Sequence, residues 1–177
     1  MTRHFFQAAG AVLLGAALLL MMSSLLRGTR ANAAQLELQR TLQTLLPQRG
    51  SFTQEDPAHR ELVTAAYRSR SGCVVEVTAA GYAGDIVLLV GVDNNGRVTG
   101  LTVRDMQETY GLGFRALRDT DFLAQFLGTS GDAAIGDNAD AISGATVTSK
   151  AIARAVNAAS AYVTGADVYT EPTERGY

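Results

Sequence analysis

The sequence predicts an α+β fold, with an N-terminal transmembrane helix followed by a single domain in which a mainly antiparallel sheet packs against helices. Three observations predict it. Phe5 to Leu26 runs without a charged residue. Asp85–Val92 and Val98–Arg104 are apolar, strand-like runs joined by Asp93-Asn94-Asn95-Gly96, and Asn-Gly tolerates the positive φ of a hairpin turn. Strands come first and helices after: Ile152, Val156, Ala159 and Val163 recur at three- and four-residue spacing late in the chain.

Taken in order, residues 1–4 form a short tail and 5–26 the transmembrane helix, since a span takes about 20 apolar residues. The rival is a cleaved signal peptide ending near Ala31-Asn32-Ala33, but the apolar stretch exceeds the usual length of about 7–15 residues. Arg3 on one side, with Arg27 and Arg30 on the other, mildly favours a cytoplasmic C-terminal side. Residues 27–60 read as a juxtamembrane helix and loop. Leu36, Leu38, Leu42, Leu45 and Leu46 fall largely on one helical face, fit to pack on the domain or a partner, and Gln48 to Arg60 reads as loop. The domain occupies 61–165. Cys73 to Ala79 is a strand, the hairpin follows, and Phe122, Leu123, Phe126 and Leu127 form a short core helix ended by Gly128. Gly128 to Gly136 is a small-residue loop, and 166–177 is a tail without apolar period.

Composition narrows the chemistry. Fifteen basic against 17 acidic residues leave no nucleic-acid footprint. A single cysteine, Cys73, excludes an intramolecular disulfide, and its place in the apolar run Cys73-Val74-Val75 reads as a buried small hydrophobe. His4 and His59 stand apart from other ligand types, which argues against a zinc or haem site. Redox chemistry here requires an organic cofactor.

The most informative segment is Asp140-Ala141-Ile142-Ser143-Gly144-Ala145-Thr146. The last helix starts near Thr146 or Thr148, where backbone N–H groups lack helical partners and the peptide dipoles place partial positive charge. A phosphate joined to Thr146 would sit where an anion is favoured, and Lys150, the chain's only lysine, lies one turn further on. The plainer alternative is that Ser143, Thr146 or Thr148 caps the helix through its side-chain oxygen.

A second segment, Glu108-Thr109-Tyr110-Gly111-Leu112-Gly113, follows the hairpin. Gly111 and Gly113 let backbone approach a flat ligand, Leu112 can press on a ring face, and the Thr109 hydroxyl can meet a ring heteroatom. An ordinary glycine-rich loop is the alternative. Gly111-x-Gly113-x-x-Ala116 superficially fits a dinucleotide fingerprint. That motif needs a βαβ unit with its first glycine directly after a strand, whereas here the strand belongs to a hairpin and six residues separate Arg104 from Gly111.

Asp-x-x-Ser-Gly-Ala-Thr at 140–146 resembles the flavinylation sequence of FMN-binding domains, and Glu108–Gly113 resembles the family's E-T-P-G-L-G loop with tyrosine in place of proline at 110. Gly81-Tyr82-Ala83-Gly84-Asp85-Ile86 and Val90-Gly91-Val92-Asp93 are similar to its strand entry and turn. With the N-terminal anchor, the chain resembles the G subunit of Rnf-type ion-translocating electron-transport complexes, related to the C subunit of the sodium-pumping NADH:quinone reductase. The resemblance implies FMN held covalently on Thr146 through a phosphoester, attached by a flavin transferase from FAD with magnesium. Ser143, Gly144 and Ala145 would give the transferase a narrow backbone and the phosphate its amides. Thr109, Gly111, Leu112 and Gly113 would meet the isoalloxazine, and Tyr82 to Gly84 would border it. Asp140 would bind the transferase's metal or merely form a turn. The implied activity is electron relay, linked to ferredoxin and NAD, among other membrane subunits. No catalytic acid, base or nucleophile is required. The implied location is the bacterial inner membrane with the domain on the extracytoplasmic side, opposite to the weak charge signal. Two further readings stand beside this one: a standalone membrane-tethered flavoprotein, and an unmodified binding module.

Overall fold

The computed structural model describes residues 21, 32–47, 51–57, 60, 62–107, 113–114 and 117–166. The expected transmembrane segment 5–26 therefore lies, apart from Met21, outside the described residues, as does the tail from 167 onward. Among the described residues no helix is long and apolar enough to cross a membrane.

Residues 32–45 are helical (α1). Five strands follow: β1 (Thr53–Glu55), β2 (Val63–Ser69), β3 (Gly72–Ala80), β4 (Asp85–Asp93) and β5 (Val98–Met106). They form one antiparallel meander in the order β1-β2-β3-β4-β5. A short helix α2 (Thr120–Ala124) and the long helix α3 (Thr146–Thr164) complete the described elements.

The hairpin lies where the sequence puts it. Asp93 accepts from the backbone N–H groups of Asn95 and Arg97 at 2.8 and 2.9 Å, and Gly96 takes φ 83°, as the turn demands. Two strands add to the sequence reading. β1 lies inside the stretch expected to be loop, and pairs with β2 from Thr53↔Arg68 to Glu55↔Ala66. β2 itself is irregular, with a register shift between Val63 and Ala65 that breaks its alternation.

Strand alternation sorts the side chains onto two faces. Val75, Val77, Ala79, Ile86, Leu88, Val90 and Val92 face α3 and join one core with Ile152, Ala155, Val156 and Ala159. Ile152 and Val156 are fully buried, each contributing about 1.5–3 kcal/mol relative to an exposed side chain. The opposite face carries the lateral row Tyr67–Val74–Gly91–Gly100, read from the strand pairing. The end of α1 lies directly on its two glycines. A Cβ at Gly91 would fall 2.4 Å from the Leu45 carbonyl oxygen, and one at Gly100 would fall 3.1 Å from Leu45 Cα. The Thr99 hydroxyl donates to the same carbonyl at 2.6 Å. Leu42, Leu45 and Leu46 are buried here as the leucine stripe predicts, whereas Leu36 is exposed.

The short core helix is shorter than the apolar run suggests. Asp119 caps α2 by accepting from the N–H groups of Asp121 and Phe122, and Gln125 already ends it. Phe122 and Phe126 are buried edge to face, their centroids 5.3 Å apart. Leu127, expected in the core, is exposed, because the chain leaves the helix before reaching it and turns at Gly128, φ 83°.

Candidate functional site

The direction of α3 fixes the site's place. A Cβ at Gly96, in the β4–β5 turn, would lie 2.5 Å from Thr164 Cγ2, so the helix ends at the hairpin pole of the sheet. α3 runs chiefly along β3 and, to a lesser extent, β4. Its 19 residues span about 28 Å, close to the reach of a nine-residue strand at about 30 Å. Thr146 therefore stands toward the opposite pole, where β3 turns into β4 and β5 ends.

Of the other motif residues that the structure describes, Tyr82 stands at that pole. Tyr82 lies on the β3–β4 turn, 79% exposed. A Cβ at the neighbouring Gly84 would fall 2.6 Å from the Gln107 carbonyl oxygen, and Gln107 donates its N–H to the Asp85 carbonyl at 2.9 Å. The chain thus leaves β5 beside this turn. Glu108, Thr109, Tyr110, Gly111 and Leu112 lie outside the described residues. Gly113, where the description resumes, is half-buried and accepts from the N–H of Leu117, a core residue.

The motif at 140–146 ends as a helix start without a side-chain cap. Ala145 is the N-cap residue and makes no capping hydrogen bond, and the first turn holds no acidic residue. The helix begins at Thr146 itself, and alanine, with no side-chain acceptor, occupies the capping position, so none of Ser143, Thr146 and Thr148 stands at the N-cap. Thr146 sits in the first helical position, exposed together with Ser143 and Gly144, while Ala145 and Thr148 are buried. Gly144 adopts φ 79°, the left-handed geometry that glycine accepts most readily. Lys150 is exposed one turn along. A phosphate carried on Thr146 would meet first-turn amides with no carboxylate among them. On that donor set the residues present fit FMN's phosphate.

Side chains outside the motif hold its approach. Asn157, 3% exposed in the middle of α3, accepts from Ala133 N–H at 2.9 Å and donates to Ala133 O at 2.9 Å. Asn138 accepts from Ala134 N–H and donates to Asp132 O, both at 2.8 Å. Gln125 Oε1 accepts from Asp140 N–H at 2.8 Å. Buried Ser149 accepts from Ile142 N–H at 3.3 Å and donates to Ala145 O at 2.9 Å. The sequence singles out none of these four. Their only local signal is a polar residue inside an apolar helical face, at Ser149 and Asn157.

Cys73 behaves as read from the sequence. It is free and fully buried, and burial pushes its thiol up to about 11 against the opposing pull of Arg68. At neutral pH its thiol stays protonated, as burial favours the uncharged form.

Residues 81–161 match the model of the FMN-binding domain. The chain is 32% identical over 182 residues to the G subunit of the ion-translocating oxidoreductase complex of Yersinia pestis, covering 88% of this chain and 85% of that protein. The chain belongs to this G-subunit family. The corresponding protein of Shewanella oneidensis is 32% identical over 141 residues, covering 73% of this chain and 66% of its own length. That of Escherichia coli O157:H7 is 37% identical over 115 residues, covering 59% and 56%. The chain thus spans little more than half the length of some of these relatives and most of others. The matched FMN-binding region contains β4, β5, α2 and most of α3, and with them Tyr82, Gly113 and the whole 140–146 segment.

Proposed function

We propose that this chain is a membrane-anchored electron-transfer protein that carries FMN on Thr146 through a phosphoester. In this reading it relays electrons between neighbouring redox centres of a redox-driven ion-translocating complex linked to ferredoxin and NAD. The observation that carries the reading is an exposed Thr146 at the first position of a helix whose capping residue, Ala145, makes no side-chain hydrogen bond, at the end of Asp-x-x-Ser-Gly-Ala-Thr. Bound FMN supplies the redox chemistry, and the protein supplies position and environment.

Each residue then has a task. Thr146 would hold FMN through an ester between its hydroxyl oxygen and the phosphorus, with AMP as the leaving group from FAD and the hydroxyl proton going to solvent or transferase. The first-turn amides of α3 hold the phosphate oxygens, and the helix dipole favours their charge. Ser143 and Gly144 leave room for the transferase, and Asp140 offers it a carboxylate for its metal. Thr109, Gly111, Leu112, Gly113 and Tyr82 border the isoalloxazine. The domain stands on the extracytoplasmic side of the bacterial inner membrane, held by the segment 5–26. Its partners there are the other membrane subunits and the flavin transferase. Covalent attachment suits that location, because a lost flavin is not readily replaced outside the cytoplasm.

The test is co-expression with an active flavin transferase, followed by in-gel flavin fluorescence after denaturation. The wild-type band is expected to fluoresce, and Thr146→Ala to be dark with an unchanged circular dichroism spectrum. A fluorescent Thr146→Ala band would overturn the assignment.

A further inference from the structure

We propose that Gln125 is a positioning residue for the flavin, fixing the segment from which the Thr146-linked group hangs. The inference rests on the assignment of FMN to Thr146 and concerns how that group is presented.

α2 is built to hold this glutamine still. Asp119 caps its first turn at 3.1 and 3.0 Å, and Phe122 and Phe126 bury both ends of the next turn in the core. Gln125, half-buried between them, ends the helix, its backbone N–H donating to the carbonyls of Phe122 and Leu123. Its Oε1 accepts from Asp140 N–H at 2.8 Å, across 15 residues of sequence. Asp140 opens the flavinylation segment, so the tie is made at that segment's first residue.

A second tie closes the other end. Ser149 Oγ accepts from Ile142 N–H and donates to Ala145 O, joining the segment to the first turn of α3. Between the two ties Ala141, Ser143 and Gly144 are exposed. With Gln125 in place the segment is fastened to two different elements. With the acceptor removed Asp140 N–H loses its tie to α2, while the segment keeps the Ser149 tie and the packing of Ile142 and Ala145. The exposed stretch beside Thr146 then gains freedom at its Asp140 end. A group hung from Thr146 takes its direction from that stretch, so its mobility and solvent access follow the tie at Asp140.

The experiment uses full-length, covalently loaded protein, with each signal normalised to bound flavin. Iodide quenching of flavin fluorescence and steady-state anisotropy are the readouts, and thermal unfolding is the control. Gln125→Leu removes the acceptor. It is expected to raise the quenching constant about two- to ten-fold, the population change that losing one ordinary hydrogen bond produces, and to lower anisotropy. Gln125→Glu keeps both the size and an acceptor oxygen and is expected to stay near wild type in both, so a difference between the Leu and Glu variants, close in volume, reports the acceptor rather than packing. Should Gln125→Leu fail to fold, Gln125→Met removes the same acceptor with an unbranched side chain and is expected to change both readouts in the same direction. Loaded Gln125→Leu, or in its place Gln125→Met, with wild-type quenching and anisotropy overturns this inference alone. A wild-type chain that takes up no flavin beside an active transferase overturns both it and the assignment beneath it.

Discussion

The two ends of α3 are built to opposite rules. At its C-terminus Gly165 adopts φ 75° and its N–H donates to Ala161 O, while Thr164 packs against the Gly96 turn. This is a finished helix end, its backbone satisfied and its side chains in contact. At its N-terminus an alanine occupies the capping position, the capping residue offers no side-chain acceptor, and Thr146 beside it is exposed. A helix end could be stabilised there by a single Ser or Asp. The contrast teaches that the hairpin pole is closed by side-chain contact and the Thr146 pole is not, a difference that the proposed flavin attachment would use. Gln125 and Ser149 tie the segment before α3, and Asn157 ties the loop at Ala133.

The largest expected effect comes from breaking that support in the interior. Asn157→Ala leaves the N–H and C=O of Ala133 without their partner, at a cost of about 2–4 kcal/mol. Urea unfolding would measure it, and a variant within error of wild type would show that the loop before the motif is not held by Asn157. On the finished pole, Gly96→Val meets Thr164 and must adopt positive φ, so a loss of about 1–3 kcal/mol is expected in the same assay. Flavin attachment at the far pole is expected to continue in whatever fraction remains folded.

An intermediate effect belongs to pH. Cys73 has a folded-state value raised by burial to about 11 from an ordinary value near 9.0. Its contribution is fully present below about pH 9 and is lost as pH rises through about 11, because the unfolded thiol ionises first. Wild-type stability should fall across that window by about 2–3 kcal/mol more than Cys73→Val stability does. Equal slopes in urea titrations at pH 8 and 10.5 would contradict it. The smallest effect sharpens the comparison at the open end. Ala145→Ser supplies the missing capping oxygen and is expected to raise stability by about 1 kcal/mol, read as a higher urea midpoint. No gain would mean that the end is already satisfied.

Much of the fold is legible in the sequence, for physical reasons that differ by element. The β4–β5 hairpin is coded locally, since Asn-Gly selects the turn and the flanking runs are apolar. The start of α3 is coded by periodicity and the motif, both short-range. β2 is not legible, because Val63-Thr64-Ala65-Ala66-Tyr67-Arg68-Ser69 is rich in small and polar residues and its register shift destroys alternation. β1, Thr-Gln-Glu, has no apolar signal, and it is a strand because β2 pairs with it, with Arg68 meeting Glu55 at 3.1 Å. Gln125 is invisible for a related reason: its partner is a backbone amide 15 residues away, and nothing near it in the chain records that. Gly91 and Gly100 read as ordinary strand residues until their pairing places Leu45 on both.

The central claim is that the open end of α3 carries the flavin. The most direct measurement is intact mass with peptide mapping of the full chain, expressed beside a flavin transferase shown active on another substrate. An FMN phosphoester adduct confined to the peptide containing Thr146 is the predicted result. An unmodified Thr146 peptide, or an adduct on another residue, would contradict the account.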